Sequence, residues 1–342
     1  MNKRISGNAL VMKQVNINLV RSVLKSREKA TKQQIAKATG LSFVTVGTVL
    51  QELIQQHEVI EAELSASEGG RPAQQYRYNA DYALALIVFP YETAGQIHLH
   101  TDVVNLLGRS VHSIKTSVES VNLNSLEYTV DQMLAAFPSI QAIGFGFPGA
   151  EHKGRLMISD YKELLGIPVI EHFQKRCELP VILENDVNAA VIGYCDRKEI
   201  ESKSTVVYVY FPERHPPGAG MVIRGKLHKG SSNFAGEISR IPLGLSWEDE
   251  LLQQSFERLV DAISKLSLTI SAVLNPDRIV LHGDSITDEH LAAVIQSCRT
   301  QLPEGMMPRI ERSLNFTGDY LSGMVVLTLE TLSSGMAITE LK

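Results

Sequence analysis

Segments typical of strands and of helices alternate between residues 83 and 301, and this alternation restricts that part of the chain to an α/β fold. The apolar run 83–89 suits a buried strand, and the alternating pattern 96–103 suits a paired strand. Further strands are predicted near 141–147, 180–183, 204–211, 219–223 and 278–282, and helices near 166–177, 187–196, 250–273 and 287–301. Ligands of α/β folds bind at strand ends and between lobes, so we expect a site there.

The composition is that of an ordinary globular protein. The 342 residues are 44% hydrophobic and 21% charged, and no apolar run approaches the length of a membrane span. The N-terminus lacks the sustained apolar stretch of a secretory signal, so we expect a cytoplasmic protein. The cysteines Cys177, Cys195 and Cys298 lie far apart and form neither a disulfide framework nor a zinc pattern.

Charge is distributed unevenly along the chain. Residues 1–80 carry 11 Lys and Arg against 6 Asp and Glu, a net charge of +5. Because the whole chain has a net charge of −5, the remainder carries −10. A basic segment on an acidic body favours a nucleic-acid-binding module joined to a second function.

Residues 13–54 have the pattern of a helix-turn-helix. A first helix is predicted over 13–26, a capping box of Thr31 and Gln34 starts a short second helix, and Gly40 ends it. Ser42 caps a third helix. The apolar residues of that helix recur at helical spacing: Val46, Val49, Leu50, Leu53 and Ile54. This order is typical of DNA-binding helix-turn-helix domains.

Two short strands are predicted after the third helix, at 59–63 and 75–78, around a polar loop. With the three helices they predict a winged helix-turn-helix. A three-helix protein-interaction domain remains the alternative.

DNA-binding residues are predicted on the exposed start of the third helix and in the wing. Hydroxyl groups there can hydrogen-bond to base edges or phosphates, although the helix start has no Arg or Lys for bidentate contacts with guanine. Arg71, beside two glycines and Pro72, could enter a narrow minor groove. The predicted DNA-binding residues are Thr31, Ser42, Phe43, Thr45, Thr48 and Arg71. Capping or solvent exposure, and an ion pair for Arg71, remain alternatives.

Five segments, in order and spanning nearly the whole chain, resemble the ROK family (repressors, open reading frames, kinases). They are Gly-Gly-Arg-Pro at 69–72, Gly-Phe-Gly-Phe-Pro-Gly at 144–149, Glu-Asn-Asp-Val-Asn-Ala-Ala at 184–190, Ala-Gly-Glu-Ile at 235–238 and Asn-Pro-Asp-Arg-Ile-Val at 275–280. The resemblance implies a winged helix-turn-helix joined to a two-lobed, actin-like α/β body with a sugar site in its cleft. The predicted domains are 1–80, then 81–195 rejoined by a helix at 318–342, and 196–317.

Departures from the family favour a regulator over a kinase. The first phosphate loop of the kinases, Asp-x-Gly-Gly-Thr, is replaced at 89–95 by Phe-Pro-Tyr-Glu-Thr-Ala-Gly. The second, a Gly-Thr-Gly-rich loop, is replaced by the segment 211–218, which contains Pro212, Pro216 and Pro217. Prolines lack the backbone N–H groups with which such loops hold phosphate. We therefore expect neither phosphoryl transfer nor a nucleotide cofactor.

The zinc motif of the family is also absent from the sequence. Arg240 stands where the family has a histidine, and the cysteine cluster that follows is missing. Arginine has no lone pair to offer a metal ion, so no metal is expected.

Part of the sugar site of the family remains. Asn185, Asp186 and Glu237 match family positions that hydrogen-bond to sugar hydroxyls, and Asp186 matches the catalytic base of the kinases. Arg240 could pair with an acidic or phosphorylated sugar. The predicted effector-binding residues are Gly149, Asn185, Asp186, Glu237 and Arg240. Helix capping by Asn185 and Asp186 is the alternative.

Together these patterns predict a sugar-responsive transcriptional regulator, with repression as the commoner family arrangement. Its expected partners are an operator of double-stranded DNA, a carbohydrate or sugar phosphate, and further copies of itself in a homodimer or homotetramer. Two alternatives remain: a bifunctional sugar kinase and regulator, and a regulator that responds to a protein partner.

Overall fold

The N-terminal part of the chain folds into three helices and a small sheet. The computed structural model describes residues 3–64, 72–93, 95–213 and 215–339. The first elements are α1 (Lys3–Arg27), β1 (Lys29–Thr31), α2 (Lys32–Thr39), α3 (Phe43–Gln55), β2 (Val59–Leu64) and β3 (Gln74–Tyr78). The sheet has the antiparallel order β1-β3-β2. The predicted winged helix-turn-helix is confirmed, with β1 as an additional strand.

The three helices pack through the apolar positions that their spacing predicts. Leu24 of α1 and Ile35 of α2 are fully buried, and α3 buries Val46, Val49, Leu50 and Leu53. The predicted capping box of Thr31 and Gln34 is present at the start of α2. Gly40 ends that helix with a φ of 71°, a conformation that favours glycine.

The body contains two five-stranded mixed sheets with the same strand order. The first is β10-β7-β4-β5-β6, in which β10, β7 and β4 are parallel and β5 and β6 are antiparallel. Its elements are β4 (Leu84–Thr93), β5 (Gln96–Asn105), β6 (Ser110–Ser117), α4 (Leu123–Ala136), β7 (Ile140–Phe147), a hairpin of β8 (Ala150–His152) and β9 (Arg155–Ile158), α5 (Val169–Cys177), β10 (Val181–Asn185) and α6 (Asp186–Arg197).

The second body sheet has the order β13-β12-β11-β14-β15, with β11, β14 and β15 parallel. Its elements are β11 (Val206–Tyr210), β12 (Gly218–Ile223), β13 (Lys226–Leu227), α7 (Glu250–Gln254), α8 (Phe256–Leu274), β14 (Arg278–His282), α9 (Asp288–Gln301), β15 (Arg309–Arg312) and α10 (Phe316–Thr339). The single helix predicted over 250–273 is instead two helices, because Ser255 has an extended conformation and caps α8.

Helices α6 and α10 pack backbone against backbone. A β-carbon added at Gly193 would lie 1.9 Å from the carbonyl oxygen of Asp319, and one added at Gly323 would lie 1.8 Å from that of Ala189. Only glycine permits this close approach of the two helices. Gly144 and Gly146 of β7 likewise leave room for Thr328 and Tyr320 of α10, which packs against the first body sheet. The boundaries of the three predicted domains remain a prediction. None of the helices in the described part of the chain is long and apolar enough to cross a bilayer.

Candidate DNA-binding surface and effector cleft

The start of α3 presents a mixed surface of hydroxyl and apolar groups. Ser42, Phe43 and Thr48 are exposed, and Thr45 is half-buried. Ser42 Oγ accepts a hydrogen bond from the Thr45 amide at 3.0 Å and lies 2.8 Å from Thr45 Oγ1. Thr48 Oγ1 donates to the carbonyl oxygen of Val44 at 3.2 Å. All three predicted hydroxyls therefore already make hydrogen bonds within the helix.

Two other predicted DNA-binding residues, Thr31 and Arg71, are not part of this exposed surface as the structure describes it. Thr31 is only 8% exposed, and its hydroxyl accepts the Gln34 amide, so we assign it to the cap of α2 rather than to a DNA contact. Arg71 lies outside the described residues. Its predicted place in the minor groove remains a prediction.

Lys32 is a cation on this surface that the sequence patterns did not reveal. Its side chain extends from the first turn of α2 across α3, with Nζ 4.3 Å from the centroid of the Phe43 ring. A β-carbon added at Gly47 would lie 2.1 Å from that Nζ. Gly47 therefore leaves the space that the lysine side chain occupies.

Asn185 holds the loop at the carboxyl end of β7. Its Oδ1 accepts hydrogen bonds from the amides of Val187 and Asn188 at 2.9 and 3.0 Å and thereby caps α6. Its Nδ2 donates to the carbonyl oxygen of Gly149 at 2.8 Å. The capping alternative is thus what the structure shows for Asn185, and one amide hydrogen remains for a ligand.

Asp186 lies between the carboxyl ends of the two body sheets. Burial is the main cause that raises the pKa of its carboxyl to about 7. The hydrogen bond from the Val187 amide lowers this pKa, and the carboxylates of Asp160 and Glu237 raise it. Its Oδ1 accepts the Val187 amide at 2.9 Å. The backbone amide of Asp186 itself also hydrogen-bonds to this carboxyl group. The side chain is only partly buried, so a ligand hydroxyl can still reach it.

Arg240 is the last residue of a short 3₁₀ helix, Ile238–Arg240, and Glu237 immediately precedes that helix. Burial raises the pKa of Glu237, the guanidinium of Arg240 lowers it, and the carboxylate of Asp160 raises it. Arg240 is exposed. Asp160 is paired with His215 of the loop between β11 and β12, with Oδ1 3.3 Å from Nδ1. The cleft therefore contains three interacting carboxyl groups.

Three tyrosines around these carboxyls were missed at the sequence level. Burial raises the pKa of Tyr161, Tyr210 and Tyr320, and the Asp186 carboxylate raises each of them further. The Tyr320 hydroxyl is buried, and no hydrogen-bond partner for it is found in the described part of the chain. Neutral phenols can donate to or accept from a polyol.

The second sheet ends in an apolar cluster at the carboxyl end of β11. Phe211 follows β11, and its ring centroid lies 5.7 Å from that of Trp247. With Pro212, His215 and Pro217 they line a cavity of about 20 Å³, too small for more than about one water molecule. This strand end is filled by the protein's own side chains.

The family profile described as "ROK family" matches residues 97–248. The chain is 26% identical over 243 residues to a xylose repressor of Caldicellulosiruptor bescii, a match that covers 68% of this chain and 59% of that relative. The chain therefore spans less than two thirds of the length of this relative.

Two solved structures share the fold. One is a ROK family transcriptional regulator, described as a homologue of the E. coli MLC protein. It has a TM-score of 0.71 and 15% identity and covers 96% of this chain and 99% of its own. The other is a ROK family glucokinase of Streptomyces griseus in complex with glucose and AMPPNP. It has a TM-score of 0.53 and 16% identity and covers 72% of this chain and 100% of its own. At these identities the likeness shows the architecture, which confirms the predicted α/β body.

Proposed function

We propose that this chain, which carries a ROK family domain, is a sugar-responsive transcriptional repressor that binds its sugar without phosphorylating it. One observation carries the proposal. A helix-turn-helix, whose third helix exposes its first residues, is joined to a cleft in which burial and two neighbouring carboxylates raise the pKa of the Asp186 carboxyl to about 7.

The chemistry of the cleft suits the hydroxyls of a neutral sugar. The carboxyl groups of Asp186 and Glu237 accept hydrogen bonds, and the remaining amide hydrogen of Asn185 and the Tyr320 hydroxyl can complete the set. A sugar phosphate is disfavoured because the carboxylates of Asp160, Asp186 and Glu237 repel a further anion, and the guanidinium of Arg240 already interacts with Glu237. The xylose repressors among the relatives make pentoses the first sugars to test.

Phosphoryl transfer is disfavoured at the end of β11. A phosphate loop needs a run of free backbone N–H groups, which Pro212, Pro216 and Pro217 cannot provide. The Phe211 and Trp247 rings fill the adjacent space. Without a bound nucleotide, the carboxylate of Asp186 acts as a sensor of sugar hydroxyls rather than as a catalytic base.

Strand β5 offers a route by which the cleft can influence the DNA-binding head. Tyr320 packs on Phe89 at 4.3 Å between ring centroids, and Phe89 stacks on His100 of β5 at 4.7 Å. At the far end of β5, Arg109 in the turn before β6 pairs with Glu28 at the end of α1. A sugar that moves Tyr320 would shift this strand and change the spacing of two heads in a homodimer.

The test is binding of the full chain to DNA. A random duplex library is enriched on the purified protein, and the selected fragments are titrated at several salt concentrations. We expect selective binding that weakens steeply with salt, because Lys and Arg release counterions from the phosphates. Enrichment of no sequence over random DNA would overturn the proposal.

A further inference from the structure

The hydrogen-bonding groups at the start of α3 are poorly placed to discriminate bases. The segment 42–48 contains none of the Arg, Lys, Asn, Gln, Asp or Glu side chains that make most specific polar contacts with base edges. Its three hydroxyl groups, those of Ser42, Thr45 and Thr48, already make hydrogen bonds within the helix. Sequence selectivity from this helix therefore requires another kind of contact.

Two apolar side chains are available for that contact. Phe43 is 56% exposed and Val44 is 76% exposed, and they are the first two residues of α3. The N-terminal residues of a recognition helix are those that contact base edges in the major groove. Thymine alone among the four bases presents an apolar group there, its C5 methyl.

The Phe43 ring is held in position. Lys32 Nζ lies 4.3 Å from its centroid, a cation–π contact, and the lysine side chain crosses α3 at Gly47. A glycine inside a helix is unfavourable relative to alanine. The glycine at position 47 is thus explained by the space it leaves for Lys32, which fixes the ring that the helix presents to DNA.

We propose that Phe43 and Val44 recognise thymine methyl groups in the major groove, with Lys32 and Gly47 positioning the Phe43 ring. This inference rests on the proposed function, since it names the bases that the same head contacts. The contact is between an apolar side chain and a methyl group. The operator half-site should therefore carry thymines at the positions that face the start of α3.

The experiment replaces thymine by uracil, which removes the methyl and keeps every hydrogen-bonding group of the base. DNA enriched on the full chain is resynthesised with deoxyuridine at one thymine at a time. We expect one or two positions per half-site to lose affinity by about fourfold each, as for one buried methyl group. Uracil at other thymines should leave the affinity unchanged.

Two variants assign the effect to these residues. Phe43→Ala and Val44→Ala should bind thymine and uracil DNA equally at the sensitive positions. Val273→Ala is the matched control, because Val273 is 75% exposed on α8 of the body, and it should keep the wild-type sensitivity. Circular dichroism of each variant checks that the head is folded.

Gly47→Ala separates folding from recognition. The added methyl displaces the Lys32 ammonium, which is the flexible end of a side chain, so the head should fold with equal or higher thermal stability. Its DNA affinity and its thymine sensitivity should fall. Reduced stability with unchanged thymine sensitivity would contradict the positioning role of Lys32.

The failures of the two proposals are distinguishable. If no DNA sequence is enriched, the proposed function fails. If DNA is enriched but uracil is tolerated at every thymine, or if Phe43→Ala and Val44→Ala keep the wild-type sensitivity, the repressor assignment stands and the thymine-methyl inference is wrong.

Discussion

The two body sheets share one strand order, yet their ends at the cleft differ in chemistry. The first sheet ends in Asn185 and is followed by Asp186, where burial raises the pKa of the carboxyl group to about 7. The second ends in Tyr210 and is followed by Phe211, which packs against Trp247. A desolvated carboxyl group is costly to maintain in an empty site, whereas an aromatic cluster stabilises the fold. Under the proposed function, the first sheet keeps the groups that bind a sugar, and the second has lost those that would bind a nucleotide.

The largest expected effect is at Asp186. Asp186→Asn removes the charged acceptor, and a hydrogen bond to a charged group is worth enough to weaken sugar binding by about ten- to a hundredfold. Titration of the protein–DNA complex with the effector sugar, followed by fluorescence anisotropy, measures it. Asp261→Asn, at an exposed carboxylate on α8 that pairs with Lys265, is the control and should respond like wild type. A normal sugar response in Asp186→Asn would remove the distinction between the two sheets.

A substitution at Trp247 tests whether the aromatic cluster at the carboxyl end of β11 stabilises the fold. Trp247→Ala removes half-buried aromatic area and should lower the free energy of unfolding by about 2 kcal/mol, below the range for fully buried aromatic residues. Urea denaturation measures the change. Leu314→Ala, at a residue that is 78% exposed, should change it by less than about 0.5 kcal/mol. Loss of sugar binding by folded Trp247→Ala would instead place the effector at the second sheet.

The pKa of Asp186 predicts how pH affects both the stability of the fold and the affinity for the sugar. Because its carboxyl has a pKa of about 7 in the folded protein and 3.8 as its ordinary value, the folded state binds the extra proton. The contribution of this group to stability is therefore present below about pH 4 and is lost as pH rises to 7. Sugar affinity should change in the opposite direction and rise by up to about tenfold per pH unit below 7, because the carboxylate is the better acceptor. In Asp186→Asn both dependences should flatten, and a steep dependence that persists would assign the titration to another group.

The smallest expected effect is at Glu237. Glu237→Gln removes a half-buried carboxylate and should weaken sugar binding by about fivefold, the value of one ordinary hydrogen bond. It should also lower the pKa of Asp186, because a like charge beside it is lost. The pH profile of sugar binding then shifts to lower pH. The exposed Glu304→Gln should leave the profile in place, and an unshifted profile in Glu237→Gln would place the two carboxyls too far apart to interact.

Sequence patterns predicted those parts of the fold that depend on interactions between residues close together in the chain. The capping box of Thr31 and Gln34, the left-handed Gly40 and the Ser42 cap involve residues within three or four positions, and all are present. Strand β1 was missed because three residues have no periodicity and it pairs with β3, more than forty residues later.

The candidate site was predicted only in part, because its remaining groups come together through the tertiary fold. Asp186 and Glu237 carry a recognisable motif, but Tyr320 reaches the cleft only because α10 returns to the first sheet. Asn185 was predicted to bind sugar, yet most of its hydrogen-bonding capacity is used in the cap and the Gly149 contact. Lys32 was missed because its contact with α3 depends on the space at Gly47.

The most direct test is the DNA affinity of the full chain in the presence of neutral pentoses and hexoses, measured with and without ATP. We expect one sugar to change the dissociation constant of the DNA complex by tenfold or more, a coupling of about 1.4 kcal/mol, with no dependence on ATP and with the sugar recovered unphosphorylated. A response that requires ATP and yields a sugar phosphate would contradict the proposal that the cleft senses a sugar without reacting with it.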